Sequence, residues 1–369
     1  MRDDADTVPG PALTSAEHNG AADYLKIKLA IGLQCLAWSF QLPYVPLYLQ
    51  DELHASKVTI AAIMAMQVGI QVVVTPSALS YGQNNGKALE LTIAAWVISA
   101  IGVGLLALSR TVGGATFSFA VWSVGGMLVC PLNDSAALLQ LGERKSEYGK
   151  QRLWGAVTWG LGNAAAGKLI QSVGFRTTSI VAVLLHLVAG GFAASLRSHV
   201  QTQELLAGGR AKDGARTLVR TSALADADNK SHVWPAFTTP AAMLFILTVM
   251  VCSSYFAAIQ SYLFLWLADL GAAPDIMGLS LTFTCITEPI FFFFAPKMIK
   301  ELGVEWMMKL TIGSYAIRCL AYSVLSPRHA TWVLPVELLH GVTFGVFISA
   351  VVHQTSELAQ RGQRRRHKG

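Results

Sequence analysis

Long apolar stretches constrain this chain more than any other feature of its sequence. A helix that spans a bilayer needs about 20 mostly apolar residues. Only 14% of the residues are charged, against about 25% in soluble domains. Ten stretches reach the required length, at roughly 26–49, 58–80, 89–109, 114–140, 152–172, 176–196, 240–268, 274–297, 305–325 and 331–357. The sequence therefore predicts an all-α polytopic membrane protein with about ten transmembrane helices.

A polar stretch separates the first six apolar segments from the last four. It contains GGRAKDGARTLVR and DADNKSH, whose glycines and charges are typical of a flexible linker or of surface helices. Two helical bundles joined in this way are the layout of many secondary transporters, whose site lies at mid-membrane between the halves. We therefore expect an N-terminal tail (1–25), a six-helix bundle (26–196), a linker (197–238), a four-helix bundle (239–357) and a basic tail (358–369).

The distribution of basic residues predicts the orientation. With the N-terminus inside, that side receives 22 of the 28 lysines and arginines, the other side receives four, and two lie within segments. Such a bias predicts that both termini, the linker and the basic tail are cytoplasmic. The same bias explains the net charge of +6, so no nucleic-acid partner is expected. The expected partner is the lipid bilayer. The first 24 residues are polar and acidic, and they do not resemble a signal peptide.

A carboxylate, a guanidinium and an indole share one predicted wall. Asp134 and Arg152 lie in neighbouring apolar segments on either side of a charged turn at 143–145. If both segments are helical, a rise of about 1.5 Å per residue carries each group about 12 Å from the turn. Trp159 follows Arg152 by two helical turns and so shares its face. We interpret the three as solute-binding residues; a structural ion pair and a packing tryptophan are the alternatives.

The first apolar segment carries a polar and aromatic face. Gln34, Trp38 and Gln41 recur at spacings of four and three residues, which places them on one side of a helix. This face is interpreted as another wall of the solute cavity. Hydrogen bonding between helices explains the same pattern nearly as well.

Ionisable residues inside the last four segments form a second set. Such groups are rare within membranes and commonly mark ion or proton pathways. A buried carboxylate holds its proton tightly, and a nearby arginine loosens it. A proton-coupled carrier needs that opposition, although a static charge network is the alternative. The set consists of Glu288, Arg318, Glu337 and His340.

Several kinds of chemistry have no sequence signature here. The five cysteines lie inside apolar runs, without metal or disulfide spacing. We also find no phosphate-binding loop and no nucleophile–base pair in a polar setting. Neither a metal, a cofactor, an enzymatic activity nor ATP-driven transport is therefore expected.

An ordered series of motifs resembles a known family. YGKQRLWGAVTWGLGNAAAG resembles the fifth helix of the lactose permease branch of the major facilitator superfamily, and still more closely the facilitator domain-containing protein 6 branch. QLPYVPLYLQDELHASK resembles the first helix, FFFFAPKMIKELG the eighth, and ELLHGVTFG the tenth. The resemblance implies a two-bundle fold and alternating-access transport of a small polar solute, such as a saccharide, with protons.

The resemblance also suggests roles for single residues. It assigns Asp134 and Arg152 to sugar binding, Trp159 to stacking on the sugar ring, and Arg318 and His340 to proton coupling. The match is incomplete, because Thr343 stands where the family has its proton carboxylate, and Glu337 where it has a lysine. Glu288 is about one turn from the family's eighth-helix glutamate. The family's paired aspartates of the seventh helix are replaced by alanines, and its signature after the second helix is reduced to LSYGQNNGK.

The family usually has twelve helices, and the last two have no counterpart among the ten segments. The four-helix bundle is therefore expected to be incomplete. Two other interpretations stay open beside proton-coupled transport. One is a membrane receptor or scaffold that transports nothing, and the other is an inactive truncated gene product.

Overall fold

Helices make up the regular secondary structure of the protein. The computed structural model describes residues 15–141, 148–207 and 237–366, and those ranges contain no strand. The charged turn at 143–145 and most of the predicted linker lie outside the described residues.

The N-terminal half begins with a broken helix. The predicted segment 26–49 is divided by a 3-10 turn at Leu42–Tyr44. Pro43 and Pro46 each lie in the first turn of the element that they start, where a missing N–H costs no hydrogen bond. The helices of this half are α1 (Ser15–Ser39), α2 (Val45–Asp51), α3 (Lys57–Asn84), α4 (Ala88–Leu108), α5 (Val112–Leu141) and α6 (Tyr148–Ala207).

The helix α6 contains two predicted segments and reverses between them. Gly174 has φ 81° and ψ 166°, a conformation that is essentially restricted to glycine. Leu196 packs in one cluster with Ala137 and Leu141, while Arg152 pairs with the nearby Asp134. Both arms of α6 therefore return to the same end of α5.

The C-terminal half ends in a bent helix. Two elements of the predicted segment 331–357 meet at an angle of 42°, so that segment is broken as well. The elements of this half are α7 (Pro240–Asp269), α8 (Pro274–Glu301), α9 (Gly303–Val324), a 3-10 turn (Pro327–Trp332), α10 (Val333–Glu337), a π-helical segment (Gly341–Val346) and α11 (Phe347–Arg366).

Each of the ten predicted apolar segments is mainly helical in the described chain, although the first and the last are broken. Six of its helices are long and apolar enough to cross a membrane, and the bent pair would be a seventh. One of the six is α6, which holds two predicted segments. The total of ten spans and the five-part division remain predictions, and α6 and α11 extend into the predicted linker and tail.

The two halves meet at one end of the molecule. The largest apolar cluster includes Tyr44 and Phe175 from the first half and Phe264 and Met277 from the second. We call this the closed end; it also carries an ion pair between Lys57 and Asp269. Toward the other end, which we call the open end, each half has a cluster of its own. The two halves therefore share one core at the closed end and have separate cores toward the open end.

Tight backbone contacts hold the closed end together. The Thr282 hydroxyl donates to the Gly160 carbonyl oxygen at 2.7 Å, joining α8 to α6. A Cβ at Gly278 would lie 2.2 Å from the Asn163 carbonyl oxygen, and one at Gly167 would lie 2.3 Å from the Pro274 carbonyl oxygen. Small residues thus allow these helices to approach as closely as membrane helices commonly do.

Candidate functional site

Asp134 and Arg152 form an ion pair between α5 and α6. Arg152 Nη1 donates to both carboxylate oxygens of Asp134, at 2.9 and 3.0 Å. Tyr148, one turn before Arg152, donates its hydroxyl proton to Asp134 and accepts from Arg152 Nη1 at 3.0 Å. The result is a cluster of one tyrosine, one arginine and one carboxylate, which we call the first triad.

The first triad is accessible although it lies between apolar helices. The Arg152 side chain is 53% exposed and that of Asp134 is 29% exposed. The hydrogen bonds that join the Arg152 guanidinium to Asp134 and Tyr148 all use Nη1. Its remaining nitrogens are therefore available to a ligand, and they present the fork of donors that suits hydroxyls, carboxylates and phosphates.

The other predicted wall residues differ in their surroundings. Trp159 is half-buried, two turns from Arg152. Gln34 is buried and accepts from Asn133 Nδ2 at 2.6 Å, so it serves at least partly in hydrogen bonding between helices. The Trp38 indole nitrogen and both amide atoms of Gln41 are buried without a partner in the described part of the chain.

Glu288 lies across the interface from the first triad. Its charge interacts with that of Arg152 in the other half. The described residues supply no ion pair for this carboxylate, although they do so for Asp134 and Glu337. Glu288 thus interacts with the charge of Arg152 and forms no ion pair with Arg318, which binds Glu337.

Arg318 and Glu337 form the second triad with Tyr322. Arg318 Nη2 donates to Glu337 at 2.8 Å and to the Tyr322 hydroxyl at 2.8 Å, and that hydroxyl donates to Glu337. Arg318 Nη1 donates to the Thr343 hydroxyl at 2.7 Å. Both charged side chains are 1% exposed. This triad is sealed from water, in contrast to the first.

His340 lies beside this cluster without entering the second triad. Its ring stacks on Phe344 with centroids 5.3 Å apart and lies 6.1 Å from that of Phe256. The helix carrying Glu337 and His340 breaks at Leu338 and Leu339. Glu337 and His340 therefore lie on opposite sides of this break.

Residues 26–369 match the family described as "MFS_1 like family". The chain belongs to the MFS_1-like family. Membership of the major facilitator superfamily, which the motifs predicted, is thereby confirmed. The chain is an integral multi-pass membrane protein.

Two curated relatives illustrate this membership. The chain is 32% identical over 124 residues to the major facilitator superfamily domain-containing protein 6-like protein A of Xenopus laevis, a match that covers 33% of this chain and 20% of that relative. It is 23% identical over 317 residues to the maltose permease of Geobacillus stearothermophilus, covering 86% of this chain and 75% of the permease.

Solved structures show the same fold in other MFS proteins. The nucleoside transporter NupG aligns with a TM-score of 0.71 at 16% identity, covering 92% of this chain and 85% of that one. The xylose transporter XylE from E. coli aligns at 0.56 and 14% identity, covering 92% and 88%. The predicted fold of the MFS_1-like chain is confirmed.

The sequence prediction missed both tyrosines of the triads in this MFS_1-like chain. Tyr148 precedes Arg152 by four residues, and Tyr322 follows Arg318 by four. That spacing puts each tyrosine on the face of its arginine, and it was visible in the sequence. In both triads the tyrosine hydroxyl bonds the carboxylate that pairs with the arginine.

Proposed function

We propose that this protein is a secondary active transporter of a small polar solute, such as a saccharide. Solute transport is coupled to protons by alternating access of the two bundles. The first triad binds the solute, with Trp159 and the Gln34 and Trp38 face as further walls. The second triad, with His340, forms the proton-coupling group.

The observation that carries the proposal is the contrast in exposure between the two triads. Arg152 is 53% exposed and Arg318 is 1% exposed, although each pairs with a carboxylate and a tyrosine. A solute can reach the first guanidinium, whose unused nitrogens can bind hydroxyls. A proton needs far less room, and a sealed carboxylate releases it only when its surroundings change.

The position of the second triad supports a coupling role. Thr343 and Glu337 lie on opposite sides of the break at Leu338 and Leu339, and both bind Arg318. A change in the bend would therefore alter the distance between Arg318 and Glu337. Breaks of this kind in transporter helices commonly adjoin binding sites and hinges.

Charge distribution supports a cytoplasm-facing arrangement. Helices α5 and α6 end or begin at the open end next to basic stretches of the sequence, and such stretches face the cytoplasm. The closed end would then be the outer one, and the first triad would be open to the cytoplasm. Both termini would be cytoplasmic in this arrangement.

Uptake into proteoliposomes tests the proposal. Purified full chain is reconstituted, an inward proton gradient is imposed, and radiolabelled neutral, cationic and anionic sugars are offered. We expect at least one sugar to accumulate above its external concentration and a protonophore to abolish the accumulation. If folded protein moves none of these solutes, the receptor or scaffold and the inactive product become the better descriptions.

A further inference from the structure

We propose that the solute is a hydroxylated amine, such as an amino sugar, whose ammonium group binds the unpaired carboxylate of Glu288. This inference rests on the proposed function and names the class of solute for the same site. Hydroxyl groups of the solute would bind the first triad, and its cationic nitrogen would bind the opposite half.

The charges of Asp134, Arg152 and Glu288 carry the inference. Asp134 balances Arg152 through the ion pair of the first triad. Glu288 interacts with Arg152 only through space, and no ion pair joins it to another described residue. When Glu288 is ionised, the three groups together carry one unbalanced negative charge. A neutral sugar would leave that carboxylate without a counterion, whereas a solute ammonium would balance it.

The packing of α6 against α8 gives Glu288 its position. These helices run antiparallel, since Asn163 lies against Gly278 and Gly160 binds Thr282 further along. Continuing that register by six residues brings Glu288 opposite Trp154, two residues from Arg152. Glu288 and the first triad therefore lie at a similar depth in the two halves.

Two neighbours of Glu288 on α8 provide no counterion for its carboxylate. Thr287, its neighbour on α8, is engaged with the backbone of the bent helix. Cys285, one turn away, packs against Gly160. Neither neighbour carries a cation. The competing explanation is that a proton neutralises the Glu288 carboxylate. In that case the site would favour a neutral solute.

Equilibrium binding separates the two explanations. Purified full chain in detergent is titrated with radiolabelled D-glucosamine, D-glucose and D-glucuronate. A charge-assisted contact contributes about ten- to a hundredfold in affinity. We expect the wild type to prefer glucosamine over glucose by that factor and to bind glucuronate more weakly than either.

Variants assign the preference to Glu288. Glu288→Gln should lower the affinity for glucosamine about ten- to a hundredfold and leave that for glucose unchanged. Glu301→Gln, an exposed carboxylate on the same helix, should change neither. Equal binding of glucose and glucosamine by the wild type, or an unchanged preference in Glu288→Gln, would overturn this inference and leave the proposed transport of a polar solute standing. Failure of the wild type to bind any of the three sugars would overturn this inference, and the proposed function falls only if the uptake screen also finds no transported solute.

Discussion

The Thr287 hydroxyl on α8 occupies the break in the helix that contains Gly341. It accepts from the Gly341 N–H at 3.1 Å and donates to the Leu338 carbonyl oxygen at 2.8 Å. A bend of this kind otherwise leaves backbone groups unsatisfied, which is costly inside a membrane. Glu337 and Thr343, which both bind Arg318, flank this break. The contact from α8 therefore stabilises the part of the bent helix that holds Arg318.

Removing this hydroxyl should destabilise the protein. Thr287→Val keeps the side-chain shape and leaves one buried donor and one acceptor without Thr287, at a cost of about 1–3 kcal/mol. Denaturant unfolding in detergent measures the change. Thr287→Ser should retain most of the stability, and Thr248→Val, whose hydroxyl bonds only within its own helix, serves as the control. Equal stability of the Thr287 valine and serine variants would show that the hydroxyl does not hold the break.

Glu337→Gln should abolish accumulation against a gradient and spare downhill exchange. Its carboxylate is the proposed proton carrier, whereas the solute binds at the first triad. The variant should also lose about 3–5 kcal/mol of stability, because Arg318 is left as an unpaired buried charge. The double variant Arg318→Gln, Glu337→Gln removes that penalty and should fold. Accumulation by Glu337→Gln would exclude this residue from the proton pathway.

The ion pair between Lys57 and Asp269 should favour the closed end modestly. Both side chains are partly exposed, at 58% and 33%, and such pairs contribute about 0–1 kcal/mol. Lys57→Asp places two negative charges together and should slow uptake; adding Asp269→Lys should restore it. Initial rates in proteoliposomes give the comparison. If the swapped pair stays as slow as the single variant, the pairing of the two charges is not what matters.

Topology follows from the basic residues alone. A reporter fused after Gly369 and one inserted near Gly208 should both be cytoplasmic. Protease protection in sealed vesicles reads out both positions. An external location of either would overturn the orientation and, with it, the cytoplasm-facing assignment of the open end.

Features set by local pattern could be predicted from the sequence. The apolar run 89–109 corresponds to α4, Ala88–Leu108, because bilayer thickness fixes the length of a span. Asp134 and Arg152 were expected at similar depth, and they pair directly. Both inferences need only a helical rise and a reversal of the chain.

Features set by contacts between distant residues could not be predicted. The break at Leu338 and Leu339 contains no proline, and it depends on Thr287 from another helix. It separates Glu337 from His340, which a continuous helix would place on one face. The seal at the closed end depends likewise on how the two halves meet, which no local spacing encodes.

The most direct test of the account is solute counterflow by the Arg152→Lys variant. Lysine keeps the positive charge but lacks the planar fork that binds Asp134 and still offers nitrogens to a solute. Wild-type protein in proteoliposomes should exchange the solute identified by the uptake screen, while Arg152→Lys should exchange it at least about tenfold more slowly with an unchanged unfolding midpoint. Equal exchange by both proteins would contradict the assignment of the first triad as the solute site.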